Sequence, residues 1–159
     1  MTKSVRSPTM TARNKMMDLI AGRDHSEMEL RQKLNLDFTP AETDAAIEYG
    51  KIHHWIPDTE EAQAQLSQKY AEVLHRKNKG IESINHQLHE KGLPLIESDS
   101  RLELEKAFTL VKNKYSVKDD VSDEEKAKLE AKVGRFLISR GFDEDTVRQV
   151  LRKVIYEKF

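Results

Sequence analysis

The 159-residue chain contains no cysteine, which excludes disulfide bonds, thiolate metal sites and a cysteine nucleophile. No apolar run approaches the roughly 18 residues that a membrane-spanning helix needs, and the N-terminal stretch has no apolar signal core. Patterns of catalysis are missing too, because there is no glycine-rich phosphate loop, no HExxH motif and no nucleophile elbow. These absences predict a cytoplasmic protein that is not an enzyme, carries no cofactor and does not associate with membranes.

Charge and hydrophobicity limit the kinds of core and partner that the chain can have. Charged residues make up 35% of the sequence and hydrophobic residues 37%, which favours several small cores over one large centre. The formal net charge of −1 argues against a protein that coats nucleic acid by bulk charge alone. Any nucleic-acid contact must therefore depend on where the cations are placed.

One segment, residues 132–142, has weaker copies at residues 84–93 and 30–39. Each copy carries apolar residues at helical spacing, followed by a turn and another apolar residue. The second and third copies also have a basic residue and a glycine in that turn. Three leucines occupy equivalent positions about 50 residues apart, a period that suits a repeat of about three short helices. These leucines are Leu34, Leu88 and Leu137.

No stretch alternates apolar and polar residues as a half-buried strand would, so the sequence predicts an all-α fold. Tandem three-helix repeats, about three in number, would form an elongated, curved stack. We predict a disordered N-terminus at residues 1–10, followed by repeats at residues 11–57, 58–99 and 100–159. The second repeat should be truncated, because the chain after residue 92 has room only for a short turn where a third helix would lie.

Local signals mark several helix starts. Ser26 with Glu29, and Thr39 with Glu42, have the capping-box spacing in which side chains satisfy unpaired backbone N–H groups. Trp55, the only tryptophan, follows the third predicted helix. We interpret it as a core plug between the first two repeats in preference to a base-stacking platform.

Eight cations recur near helix ends in the three copies. They are Arg31, Lys33, Arg76, Lys77, Lys79, Lys91, Arg135 and Arg140. Cations in a last helical turn stabilise the helix dipole and cover apolar surface with their stems, which explains any one of them. A basic set in each repeat would also place a cationic stripe along the concave face, where it would hold phosphates in a salt-dependent way. The residues alone leave both interpretations open.

The histidines offer a weaker candidate site. His86 and His89 lie one turn apart on a predicted helix. Two histidines supply at most half of a structural zinc site, so we interpret them as exposed side chains and predict no metal.

Three ordered motifs resemble the RecX family, the bacterial regulators of the RecA recombinase. They run from Ser26 to Leu34, from Lys77 to Gly92 and from Arg135 to Phe142, and the resemblance extends from about residue 11 onward. It implies a curved protein of tandem three-helix repeats that lies in the groove of a RecA filament on single-stranded DNA. It also implies suppression of ATP hydrolysis and strand exchange. For such a function we predict that the eight cations contact phosphates or an acidic protein surface.

The chain departs from the family pattern in its middle. Where the family usually has Lys-Gly-Tyr-Gly-Pro, this sequence has Lys77-Asn78-Lys79-Gly80-Ile81. Positions that tend to be basic around the central isoleucine are Ser83 and Asn85, and His54 opens a corner that usually begins with glycine. These changes bear on function more than on fold.

Three functions remain in competition. The leading hypothesis is a monomeric, non-enzymatic modulator that binds the RecA filament and single-stranded DNA. The second is a helical-repeat adaptor that binds another protein and no nucleic acid, which the near-neutral charge favours. A helix-turn-helix reader of duplex DNA that uses residues 81–91 ranks last among the binding functions.

Overall fold

A computed structural model describes residues 10–116, 118 and 120–157, and throughout these residues the secondary structure is helical, without a strand. The helices are α1 (Ala12–Gly22), α2 (Glu27–Leu34), α3 (Pro40–Ile52), α4 (Glu60–Arg76), α5 (Ile81–Glu90), α6 (Ser100–Lys114), α7 (Asp123–Ser139) and α8 (Glu144–Leu151). A π-helical segment, Arg152–Tyr156, follows α8. The predicted all-α class is confirmed. The predicted N-terminal disorder falls outside the described residues except at Met10, which packs against the first core.

Two compact units divide the chain. The first contains Met1–Lys69 and Leu88–Leu95, and the second contains Tyr70–Gln87 and Ile96–Phe159. The divisions fall inside α4 and α5, so each of these helices contributes to both units. The three repeat boundaries given above follow the sequence copies and stay a prediction.

Each unit has its own apolar core. In the first unit α1, α2 and α3 bury Met16, Leu30, Leu34, Phe38 and Ile47. In the second, residues of α6, α7 and α8 bury a second set around a single aromatic ring. This set comprises Ala107, Val111, Val133, Leu137, Phe142, Val147 and Val150. The two cores explain how a chain with only 37% hydrophobic residues folds.

The capping boxes form as predicted. The Ser26 hydroxyl accepts the N–H of Glu29 at 3.2 Å, and the Glu29 carboxylate accepts the N–H of Ser26 at 3.2 Å. Thr39 and Glu42 make the same reciprocal pair at the start of α3. These contacts satisfy backbone donors that a helix start otherwise leaves unpaired.

The three sequence copies close in related ways. The N–H of Leu93 donates to Leu88, and that of Phe142 to Leu137, across turns in which Gly92 and Gly141 have φ of 69° and 91°. Such a closure needs a residue in the left-handed conformation. In the first copy the N–H of Phe38 donates to Leu34, and the turn is one residue shorter. Because the shorter turn needs no left-handed residue, the first copy has no basic-glycine pair.

Two other helices end in the same six-residue closure without glycine. The N–H of Trp55 donates to Gly50 after α3, and the N–H of Lys79 donates to Leu74 after α4. The left-handed residues are His54 (φ 58°) and Asn78 (φ 56°), the two non-glycine positions with positive φ in the described part of the chain. Both stand at positions for which the resemblance to the RecX family implies glycine.

The interpretation of Trp55 as a core plug is wrong. Its side chain is 39% exposed, stacks on His53 with ring centroids 4.7 Å apart and meets Tyr49 edge-on. The next residue, Ile56, is 1% exposed and packs in its place against the first core. The left-handed turn at His54 decides which of the two neighbours points inward, and the apolar pattern alone does not reveal it.

Candidate basic interface

The start of α5 is held by other helices, not by a cap of its own. Three consecutive backbone N–H groups find distant acceptors: Gly80 donates to the Arg140 carbonyl at 2.8 Å and Glu82 to the Gly141 carbonyl at 2.9 Å. Between them, Ile81 donates to the Glu103 carboxylate at 3.0 Å. Donors at a helix start need such partners. Residues of α6 and of the turn after α7 therefore fix where α5 begins.

Glycine is required at the backbone contact that results. A Cβ added to Gly80 would lie 2.2 Å from the carbonyl carbon of Gly141. A Cβ on Gly141 would lie 2.4 Å from that of Ser83. The backbones approach too closely for any side chain at either position.

A buried ion pair lies beneath this contact. Glu103 and Lys106, three residues apart on α6, have side chains that are 0% and 3% exposed. The Lys106 ammonium contacts Glu103 and donates to the Lys79 carbonyl at 2.6 Å and to Nδ1 of His75 at 2.8 Å. The ammonium thus has two hydrogen-bond acceptors, His75 and the Lys79 carbonyl, and Glu103 as its charge partner, whose Oε1 makes no hydrogen bond within the described part of the chain.

His75 must be neutral to accept a hydrogen bond from an ammonium group. Burial lowers the pKa of His75 below its ordinary value of 6.5, and the Lys106 charge lowers it further. Glu103 and Asp99 act in the opposite direction without reversing the shift. The acceptor is therefore available at neutral pH.

The segment that this network holds is the basic turn, defined as residues 77–80. Lys77 is exposed and Lys79 half-buried, and in the described ranges neither has a carboxylate within ion-pair distance. Just before the turn, Arg76 is 76% exposed, and its contact with Glu72 is loose, at 3.9 Å. Three predicted site residues, Arg76, Lys77 and Lys79, thus lie next to one another. Internal hydrogen bonds fix the backbone of the turn that carries the two lysines.

The end of α7 adds further cations. Arg135 is exposed and, among described residues, has no acidic partner. The Arg140 guanidinium lies 5.4 Å from the Phe136 ring centroid, and the Lys114 ammonium lies 4.2 Å from it. Such cation contacts leave the charge available to an anion. Lys114 was missed by the sequence reasoning, because only the fold brings the end of α6 to Phe136.

The three predicted cations of the first unit are engaged internally. Arg31 pairs with Asp44. Lys91 lies 3.0 Å from Glu29, a carboxylate that is only 8% exposed. The structure uses both of these cations to neutralise acids within the same unit.

Lys33 is the third of these cations, and it donates to Nε2 of His25 at 2.9 Å. His25 is 3% exposed, and its Nδ1–H donates to the Arg23 carbonyl at 2.9 Å, which leaves Nε2 as the acceptor. Burial lowers the pKa of His25 below 6.5, and the charges of Arg23 and Lys33 add to that effect. A lysine thus donates to a neutral histidine in each unit.

The missing cations of the central copy have a structural explanation. The Asn85 amide donates to the Ile96 carbonyl at 3.0 Å and accepts the Ile96 N–H at 2.9 Å. It therefore fastens the connection between α5 and α6, which a lysine or arginine could not do in the same way, since neither has an acceptor. Ser83 lies against Gly141, where a long side chain would have to turn away.

The described residues form neither a cluster of metal ligands nor a membrane-spanning helix. His86 and His89 are exposed on α5. Within the described ranges no group of three or more potential metal ligands forms, and no helix there has the length and apolarity of a membrane span.

Comparisons with known proteins match both ends of the chain. Residues 12–49 match the family model "RecX, first three-helix domain", and residues 102–151 match "RecX, third three-helix domain". A "Regulatory protein RecX" of Leptothrix cholodnii is 32% identical over 161 residues, which covers 94% of this chain and 93% of that protein. The chain belongs to the RecX family. The membership that the three motifs predicted is confirmed.

Other RecX proteins agree with this assignment. The "Regulatory protein RecX" of Clostridioides difficile is 29% identical over 152 residues, covering 91% of this chain and 68% of that protein. A crystal structure of RecX from Lactobacillus salivarius superposes with a TM-score of 0.69 at 19% identity and covers 90% of this chain and 94% of that one. The structural similarity supports tandem three-helix units. These relatives are named regulatory proteins.

Proposed function

We propose that this RecX-family chain binds RecA filaments on single-stranded DNA and inhibits the recombinase ATPase and strand exchange. Family membership is the observation that carries the proposal. The exposed cations of the second unit supply the chemistry, because a filament on DNA offers phosphates and acidic protein surface. Binding would act by occupying the filament, with no catalytic step in this chain.

The eight predicted cations divide by their surroundings. Five are exposed or half-buried in the second unit and free of tight pairing with acids, and we assign the partner contacts to them. They are Arg76, Lys77, Lys79, Arg135 and Arg140. We assign a mainly structural role to Arg31, Lys33 and Lys91, because each already contacts a group of its own unit. Lys114 joins the first set by its position over Phe136.

An ATPase assay tests the proposal. Stoichiometric addition of this protein should lower the rate of ATP hydrolysis by RecA on single-stranded DNA, and the protein should co-sediment with the filaments. The double variant Lys77→Glu, Lys79→Glu should weaken both effects. A matched control, Arg101→Glu with Arg148→Glu, makes the same change in net charge at two exposed cations that stand beside carboxylates of their own helices. An unchanged ATPase rate with wild-type protein overturns the proposal.

An adaptor that binds a protein and no nucleic acid is the second candidate. The net charge of −1 and the internal pairing of Arg31 and Lys91 favour it. Salt separates the two functions. Binding to single-stranded DNA that weakens steeply with added salt supports filament binding, whereas no DNA binding at low salt supports the adaptor.

A further inference from the structure

We infer that the buried Glu103–Lys106 pair is a positioning device for the basic turn, and that binding of a phosphate-bearing strand by Lys77 and Lys79 depends on it. The inference rests on the proposed function and names the groups that control its cationic site. Glu103 and Lys106 contact no partner themselves. They act through the backbone on either side of Gly80.

Burial makes the pair expensive. Its side chains are 0% and 3% exposed, and each ion loses its hydration when it is taken out of water, a penalty that their mutual attraction must first offset. Apolar residues of similar size often stabilise a fold equally well or better. We therefore assign the role of this pair to the backbone groups that it binds, not to a net gain in stability.

The pair holds the C-terminal end of the basic turn, on both sides of Gly80. Lys106 donates to the Lys79 carbonyl at 2.6 Å, and Glu103 accepts the Ile81 N–H at 3.0 Å. These two backbone groups flank Gly80, whose own N–H is taken by Arg140 at 2.8 Å. The turn contains the left-handed Asn78 and is fixed at successive peptides.

Such fixing matters for binding by lysines. A lysine on a loose turn must lose backbone freedom as well as side-chain freedom when it contacts a phosphate. A turn that is already ordered avoids the first of these costs. The backbone positions of Lys77 and Lys79 are thereby constant while the lysine side chains stay flexible.

The decisive variant replaces both members, Glu103→Leu with Lys106→Met, so that the net charge is unchanged and no charge stays buried alone. We expect affinity for an oligo(dT) strand to fall roughly tenfold, as expected when flexible groups must be ordered on binding. The slope of log affinity against log salt should become shallower by about 1.4, which corresponds to two phosphate contacts on single-stranded DNA. Since net charge is preserved, bulk electrostatics cannot produce that change.

A double-mutant cycle separates positioning from a general structural effect. Lys77→Ala with Lys79→Ala should give the same change in slope, and the four substitutions together should add nothing further. Additive losses, or an unchanged slope in the Leu/Met variant, overturn the inference. If that variant does not fold, Glu103→Gln with Lys106→Met keeps an acceptor for Ile81 at the same net charge. The same double-mutant cycle is then measured with this variant, for which we expect about half the loss of slope. Additive losses in that cycle would also overturn the inference.

Amide hydrogen exchange gives a readout that does not need a partner. In the Leu/Met variant the Gly80 and Ile81 amides should exchange at least tenfold faster, while the Val150 amide in the core keeps its rate. Failure of the wild-type protein to bind either DNA or RecA would overturn the proposed function. Unchanged exchange at Gly80 and Ile81 would overturn the positioning role alone, so the two failures are distinguishable.

Discussion

The N–H of Gly80 donates to the carbonyl of Arg140 at 2.8 Å, although sixty residues of sequence separate the two. This hydrogen bond joins the basic turn to the end of α7 and places cations from two helices beside one backbone contact. The same close approach leaves no space for a side chain at Gly80.

Replacement of Gly80 by alanine should be strongly destabilising. The added Cβ would meet backbone atoms of Gly141 at 2.2 Å, and backbone cannot move aside as a flexible side chain can. We expect a loss of about 3 kcal/mol, the upper range for overpacking. Urea unfolding of the purified variant measures it. In the control Gly22→Ala, where nothing lies within 4 Å, stability should stay the same or rise, and equal losses in both variants would contradict the reasoning.

Glycine at His54 should stabilise the protein. His54 has φ of 58°, a conformation that costs a residue with a Cβ about 1 kcal/mol and glycine almost nothing. Asn78→Gly should gain less, because asparagine tolerates this conformation better. Thermal unfolding compares these variants with Glu48→Gly in the exposed middle of α3, which should lose about 1 kcal/mol. A loss of stability in His54→Gly would show that its side chain contributes more than the turn costs.

Replacement of Lys91 by methionine should lower the stability of the protein without changing its affinity for single-stranded DNA. The substitution removes a cation 3.0 Å from Glu29, whose side chain is only 8% exposed, and Arg23 remains as a partner of that carboxylate. We expect a loss of about 1 kcal/mol, typical of a charged hydrogen bond that is partly replaced. Affinity for single-stranded DNA at a temperature where both proteins are folded should be unaltered. A marked loss of affinity at unchanged stability would return Lys91 to the set of contact residues.

Stability should fall as the pH drops below about 6.5. The pKa values of His25 and His75 are lowered in the folded protein, so below 6.5 the unfolded chain takes up protons that the folded chain does not. The stability that depends on these two groups is complete above 6.5 and is lost progressively as the pH falls toward the folded pKa values. The groups facing His75 are Lys106, Glu103 and Asp99.

The matching variants are His75→Asn and His25→Gln, since each amide oxygen can accept from the same lysine without titrating. The free energy of unfolding, followed from pH 8 to pH 5, should show a shallower decline in each variant and the shallowest in the double variant. A wild-type profile that is flat across this range would disprove the assignment. His89→Gln, at an exposed histidine of α5, is the matched control.

Local chemistry made much of the fold predictable. The capping boxes at Ser26 and Thr39 depend on neighbours three residues away, and both are present. The leucines of the three copies are all buried, because repeat spacing reports packing. The helix starts at Ser122 and Asp143 also follow from side chains that cap their own turn.

Features that depend on distant residues could not be predicted. The sequence before α5 offers no capping side chain, and its start is fixed by Glu103 and by the turn after α7. The large side chain of Trp55 led to the prediction that it is buried, whereas the turn at His54 leaves Trp55 partly exposed and buries Ile56. A charge pattern likewise cannot distinguish Lys91, which is paired, from Lys77, which faces solvent. Only the contacts of each side chain separate the structural cations from the candidate interface.

The donors at the start of α5 also bear on the order in which the chain can fold. As ribosomes add about 5–20 residues per second, α5 emerges several seconds before the Arg140 and Gly141 carbonyls that accept two of its first N–H groups. Until then its first turn depends on water and is prone to fray. The first unit's three N-terminal helices carry their own caps and can fold early, whereas the basic turn becomes ordered only when α7 and the turn after it have been made. A nascent chain would therefore acquire its ordered cationic site only after Arg140 and Gly141 have been added.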